Sequence, residues 1–168
     1  MKQVLEELCG LLYEQKSVQE ELLRLSTDKR QIIKSGDTES LNATVSRELG
    51  ELSKLRNIER RRTALLPAIS DELGIAPQDV TVSTVIEHAD EDRKDELRAL
   101  QRELLSLLNM QAEINAINQD MLKAQLEYTD AMLEVMIGSE DPLNNFYGDD
   151  GKASADKKRA TGFLDAQI

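Results

Sequence analysis

Tryptophan is absent from this chain, and histidine and cysteine occur once each, at His88 and Cys9. One of each cannot make up the several-ligand set that a metal site needs. Cys9 has no second thiol for an intrachain disulfide, which fits a reducing compartment. The single histidine also leaves no nucleophile–base pair for acyl transfer, and no G-x-S-x-G turn is present. Glycines stand singly, so no glycine-rich loop is available to cradle phosphate. No Glu-x-x-His pair exists to build a di-iron carboxylate bundle. Glutamate pairs are frequent but fall on the outer faces of expected helices, where solvation is their ordinary role. No enzyme activity, metal or cofactor is therefore expected. Positive charge is also short. The net charge of -11 argues against nucleic acid, whose binders carry a basic patch, and against an anionic membrane surface. No apolar run is long enough to span a bilayer. The first ten residues, MKQVLEELCG, hold glutamates where a signal peptide would be apolar. These absences lead to the expectation of a soluble, cytoplasmic protein.

What is present favours helix. Apolar residues make up 40% of the 168 positions, but aromatics only 3%, and Leu, Ile, Ala, Glu, Lys and Arg dominate. The stretch from Leu97 to Met136 has neither proline nor glycine, and its apolar residues recur every three or four positions. One seam runs Leu97, Leu100, Leu104, Leu107, Gln111, Ile114, Asn118, Met121, Gln125, Tyr128, Met132, Val135. A second runs Leu105, Leu108, Ala112, Asn115, Gln119, Leu122, Leu126, Thr129, Leu133, Met136. A surface helix usually carries one such stripe. Two stripes mean that the helix sits within a bundle or receives something else. The polar members Gln111, Asn118 and Gln125 follow one another at intervals of seven.

Upstream, Val4, Leu8, Leu11, Gln15, Val18, Leu22, Leu25, Lys29 and Ile32 alternate spacings of four and three, which predicts a coiled-coil-like helix over 3–34. Ser35-Gly36-Asp37 reads as a turn, with Gly36 in the left-handed position and Asp37 capping the next helix. So short a link makes the two helices antiparallel. The second helix is expected over 38–73, with a kink or an end between Thr63 and Pro67. Residues 75–89 form the connector. Pro77 can start a short helical turn, and Thr84 with Glu87 matches a capping box that would begin a second one. Val80, Val82, Val85 and Ile86 would fold as a lid over one end. The third long helix is expected over 90–137. At about 70 Å against about 50 Å for each of the others, it is the longest. The hairpin and lid are expected to cover it to about residue 117. Arg56, Arg60, Arg61 and Arg62 cluster in an otherwise acidic chain. A docking patch for an acidic partner is one reading; a solvated face paired with neighbouring glutamates is the preferred one.

The fold expected is thus all-α: a long antiparallel hairpin plus a longer third helix, a three-helix bundle over 3–138. Residues 139–168 lose periodicity and are rich in Gly, Asn, Asp and Ser, which predicts a flexible tail. The tail contains two apolar islands, LNNFYG and GFLDAQI, suited to short recognition segments.

Taken in order, several segments resemble the FlgN family of flagellar type III export chaperones. They are KRQIIKSGDTESL over 29–41, LRNIERRRTALL over 55–66 and the Leu73-Gly74 stop. NAINQDML over 115–122 resembles an N-x-x-N-x-x-L-L signature, with Met121 in place of the first leucine. FYGDDG over 146–151 resembles a Tyr-Gly-x-x-Gly element. The resemblance implies a cytoplasmic chaperone that binds C-terminal segments of hook-associated proteins, which join hook to filament. It would keep them soluble and deliver them to the cytoplasmic domain of the export gate. It places client binding in the later part of the third helix and the tail, and gate docking on Tyr147. Together with the seams, it points to Asn118, Met121, Leu122, Leu126, Leu133 and Met136 as client-binding residues. A client helix would lay its apolar face there, and the methionines would make an adaptable surface. The same residues could instead be ordinary core or the seam of a homodimer, and Asn115 and Asn118 could fix helix register. A self-associating structural coiled coil with no client is the alternative.

Overall fold

A computed structural model describes residues 2–138, and over them the chain is all-α. Four α-helices follow one another: α1 (Lys2–Ser35), α2 (Thr38–Leu73), α3 (Val82–His88) and α4 (Glu91–Gly138). A single 3-10 turn, Pro77–Asp79, precedes α3. The chain divides into two compact units, Met1–Tyr128 and Thr129–Ile168. The second is described only over 129–138, the last turns of α4.

The helix ends follow from the residues at them. Gly36 takes φ +69° and its N–H reaches Ile33 O at 3.2 Å. A Cβ is disfavoured in that left-handed conformation, so glycine suits it. Asp37 then caps α2. Its carboxylate accepts from Ser40 N at 3.0 Å and from Ser40 Oγ at 2.6 Å. Those two donors hold the Asp37 carboxyl below its usual range. Gly74 closes α2 at φ +66°, donating to Ser70 O at 2.9 Å.

The end allowed for between Thr63 and Pro67 does not occur: helix α2 continues through Pro67, which stands on its exposed side. The proline removes one N–H opposite Thr63 O, and Thr63 is exposed to solvent, so that carbonyl is not stranded in the core. The short connector helix starts three residues earlier than the Thr84–Glu87 box implied. Thr81 is its cap: Thr81 Oγ1 accepts from Thr84 N at 3.1 Å, and Thr84 Oγ1 accepts from Thr81 N at 2.8 Å. Threonine thus does at the third position what glutamate usually does.

Within the first unit, α1 is the shared partner. Its bonds to α2 run from Glu14–Arg61 toward one end to Lys29–Glu48 toward the other, so a higher number on α1 meets a lower one on α2 and the two helices are antiparallel. Its bonds to α4 rise together: Glu6–Arg93, Tyr13–Glu96, Lys16–Glu103, Ser26–Gln111 and Ile33–Gln125. These two helices are parallel. The densest core lies at one end, where Leu5, Leu8 and Leu12 of α1 meet Ile69 of α2, Val85 and Ile86 of α3, and Leu97 and Leu100 of α4. Each fully buried leucine there contributes about 1.5–3 kcal/mol of apolar transfer. The α3 segment is therefore a lid on this end. Cys9 is buried in the same cluster, and burial, with Glu96 nearby, pushes its thiol pKa up.

Candidate functional site

The long α4 carries two seams, and they meet different fates. The seam interrupted by amides faces α1. Gln111 Nε2 donates to Ser26 Oγ at 2.6 Å, Asn118 Nδ2 to Ser26 O at 2.7 Å, and Gln125 Nε2 to Ile33 O at 3.0 Å. The interval of seven keeps all three amides on the side of the helix that meets α1. Ser26 extends this ladder sideways, since its hydroxyl also donates to Glu48 Oε1 at 3.2 Å. Glu48 in turn accepts from Lys29 Nζ at 2.7 Å, and both side chains of that pair are only 14% exposed. The middle of the first unit is thus held by a polar network joining α1, α2 and α4.

The second seam is open. Leu105 and Leu108 are already exposed, as is Leu126 further on. Cover along this side stops well before residue 117, because the bonds of α2 go to α1 and leave α4 flanked on that side by space. Across that space α2 shows its own exposed apolar row, Val45, Leu49 and Leu52. Between them lies a cavity of about 390 Å³, floored by Leu22 and Ser26 and walled by Leu52 and Leu55 on one side and Asn115 and Leu122 on the other. Its volume is in the range of built ligand clefts.

The residues expected to bind a client are placed as follows. Asn118 is 2% exposed, with its amide committed to Ser26 O. It belongs to the α1–α4 contact, and it also borders the cavity. Met121 and Leu122 are half-buried, and Leu122 lines the cavity. Leu126 is 65% exposed. In the second unit, Leu133 is 49% and Met136 62% exposed, beside exposed Met132, Val135 and Ile137. Tyr147 and both apolar islands of 139–168 lie outside the described residues. Sequence reasoning missed the α2 contribution. The signal lies in the Val45, Leu49, Leu52 spacing, which is equally that of a core stripe.

Two of the four clustered arginines are paired. Arg61 meets Glu14 at 2.6 Å and Arg62 meets Glu59 at 2.8 Å. Such exposed pairs contribute little each. Among the described residues no group of three or more His, Cys, Asp or Glu is arranged to hold a metal ion. No described helix is long and apolar enough to cross a membrane.

An all-α chain with an open apolar seam and an acidic exterior fits many binding proteins, and comparison decides among them. The model of the FlgN protein family matches residues 1–155. The chain belongs to the FlgN family. It is also similar to the uncharacterized protein YvyG of Bacillus subtilis (strain 168), at 24% identity over 148 residues, covering 88% of this chain and 89% of that protein. No solved structure matches it. FlgN membership points to a flagellar export chaperone, and to binding of flagellar proteins rather than catalysis.

Proposed function

We propose that this FlgN-family protein is a cytoplasmic chaperone for hook-associated proteins, the subunits at the hook–filament junction. It binds their C-terminal segments, keeps them soluble, and delivers them to the cytoplasmic domain of the flagellar type III export gate. The frame is a long antiparallel hairpin, α1 and α2, with the longer α4 as third member of a bundle over 3–138 and the segment 139–168 as a recognition tail. Client contact falls on Met121, Leu122 and Leu126 in the first unit, and on Leu133 and Met136 at the end of α4. Asn118 sits behind the first group and sets its position. Tyr147 docks the export gate.

The observation that carries this reading is the exposure of large apolar side chains along α4, from Leu105 to Ile137. Exposed apolar surface on this scale marks a place where something binds. Methionines among them suit a surface that must accept more than one sequence.

Removing residues 139–168 and replacing Leu126, Leu133 and Met136 with polar residues should leave helicity unchanged and abolish co-purification with a hook-associated protein. Undiminished co-purification would refute the assigned surface. Tyr147→Ala should weaken binding to the gate domain while sparing the client; equal gate affinity would remove its role. The same apolar row could seal a self-associating coiled coil instead. Light scattering separates the two: a tight dimer that separates only when α4 is altered favours self-association. A monomer that gains helix with a hook-associated protein fragment favours the chaperone.

A further inference from the structure

Helix α2 turns a second face to solvent, and its charge is opposite to that of the chain. From Gly50 to Arg62 five cations, Lys54, Arg56, Arg60, Arg61 and Arg62, stand against two carboxylates, Glu51 and Glu59, in a chain of net charge -11. Three of these cations are met within the molecule, Lys54 by Glu51, Arg61 by Glu14 and Arg62 by Glu59. Arg56 and Arg60 are exposed, and among the described residues no carboxylate lies within ion-pair distance of either. They stand four residues apart on one side of the helix, where like charges repel and weaken it. Gly50, Ser53, Lys54 and Asn57 join them around a shallow depression about 15 Å long. Gly50 takes no left-handed φ, and nothing lies within 4 Å of where its Cβ would stand, so another backbone can come close there. At about 100° per residue, Gly50 and Asn57 point away from Leu55, which walls the cavity facing α4.

We propose that this face docks an acidic helix of a partner protein, one that presents Asp or Glu every three or four residues, and that it works apart from the client surface. Carboxylates at that spacing stand as far apart as Arg56 and Arg60 do, and each can accept the paired N–H groups of one guanidinium. The Ser53 hydroxyl and the Asn57 amide serve polar groups between them, and Gly50 lets the partner helix lie close. Binding also removes the repulsion between the two arginines. The extent of the charge decides against a nucleic acid. A phosphate backbone gains its affinity from many cations at once, and here only two guanidinium groups await an anion before the strand would pass onto an acidic surface. A short acidic helix covers the patch and ends. A second copy of this chain is disfavoured, because two copies at -11 repel. The proposal does not rest on the chaperone reading.

Two alanine-based helical peptides test this on the full chain, one with glutamate along a single face and the other with glutamine in its place. In a titration followed by amide NMR, the glutamate peptide should shift the resonances of residues 50–60. It should bind on the order of tenfold more tightly than the glutamine peptide, the factor that two exposed charge pairs supply. Arg56→Gln/Arg60→Gln, at two exposed positions, should keep the helical circular dichroism and lose that tenfold. Salt at about 1 M, where charges are screened beyond about 3 Å, should do the same. Leu126→Gln, on the client surface of α4, should leave the glutamate peptide's affinity as it is. Equal affinity for the two peptides, or an arginine variant that binds as wild type does, overturns the site. Tighter binding of a single-stranded oligonucleotide through the same arginines gives the face to nucleic acid and overturns the acidic helix. An arginine variant that no longer binds hook-associated segments shows the face to be part of the client site and overturns its separateness. Peptides that behave as expected while hook-associated segments do not bind at all keep this face and remove the chaperone reading.

Discussion

Replacing Glu48 with leucine strands the Lys29 ammonium. In the native chain Lys29 Nζ reaches the two Glu48 oxygens at 2.8 and 2.7 Å, and Ser26 Oγ adds a third contact at 3.2 Å. Both members of the pair are 14% exposed, far less than the Arg61–Glu14 pair on the surface. An exposed pair contributes at most about 1 kcal/mol. Removing one partner of a buried pair costs about 3–5 kcal/mol, because the other charge is left uncompensated. Residual exposure lets water reach the lysine, so Glu48→Leu is expected to cost about 2–4 kcal/mol. Lys29→Met is milder, about 1–3 kcal/mol, since the carboxylate keeps the Ser26 hydroxyl and has a route to solvent. The double variant Lys29→Met/Glu48→Leu removes both charges and adds apolar volume beside Leu52, so it should return to within about 1 kcal/mol of wild type. Urea unfolding followed by circular dichroism measures all four chains, with slopes held equal so that midpoints report stability. The reasoning requires strong coupling: the double variant must be more stable than Glu48→Leu alone. Costs that simply add would show that the pair behaves as a surface pair and that the polar network does not bind α2 to the rest.

Three further perturbations read other parts of the fold. Leu97→Ala, at a fully buried position under the lid, should cost about 2–5 kcal/mol in the same urea assay. Gly74→Ala should cost about 1–2 kcal/mol, because φ +66° is unfavourable for a Cβ although no atom lies near enough to clash; a neutral result would refute the conformational explanation. The Asp37 carboxyl is held below its usual range by Ser40, so its contribution is full at neutral pH and is lost as pH falls through that lowered value. Wild type and Asp37→Asn should accordingly differ in Tm at neutral pH, and the gap should close below about pH 4; a gap that widens in acid would reverse the assignment.

The helices were readable because their determinants are local. Gly36, Asp37 and Gly74 act within four residues of themselves, and a period of three to four survives any neighbour. The spacing of Gln111, Asn118 and Gln125 was equally plain, but not what they bond. That depends on how α4 is rotated against α1, which places Ser26 and Ile33 opposite the amides. The same rotation decides that Asn118 is buried while Leu126, eight residues on, is open. Val45, Leu49 and Leu52 show the converse difficulty. Their spacing is that of a core stripe, and only the position of α4 leaves them facing space. Thr84 with Glu87 fits the usual capping pattern better than Thr81 with Thr84 does; the shorter threonine side chain at the third position caps through its own hydroxyl.

One consequence of the heptad spacing concerns sliding. Glu96 and Glu103, which meet Tyr13 and Lys16, are also seven residues apart. Moving α4 along α1 by one heptad, about 10.5 Å, would therefore set one carboxylate where a carboxylate had been and two of the three amides where amides had been. The ladder defines its alignment only as a clock face defines the hour, without saying which day. The missing information comes from the lid. Val85 and Ile86 are seated on the core, and only Ala89 and Asp90 link α3 to α4, so a slipped α4 would have to pull the lid off Leu5 and Leu8 of α1 and Ile69 of α2. A seven-residue helix at one end thereby counts the repeats for a helix of 48 residues.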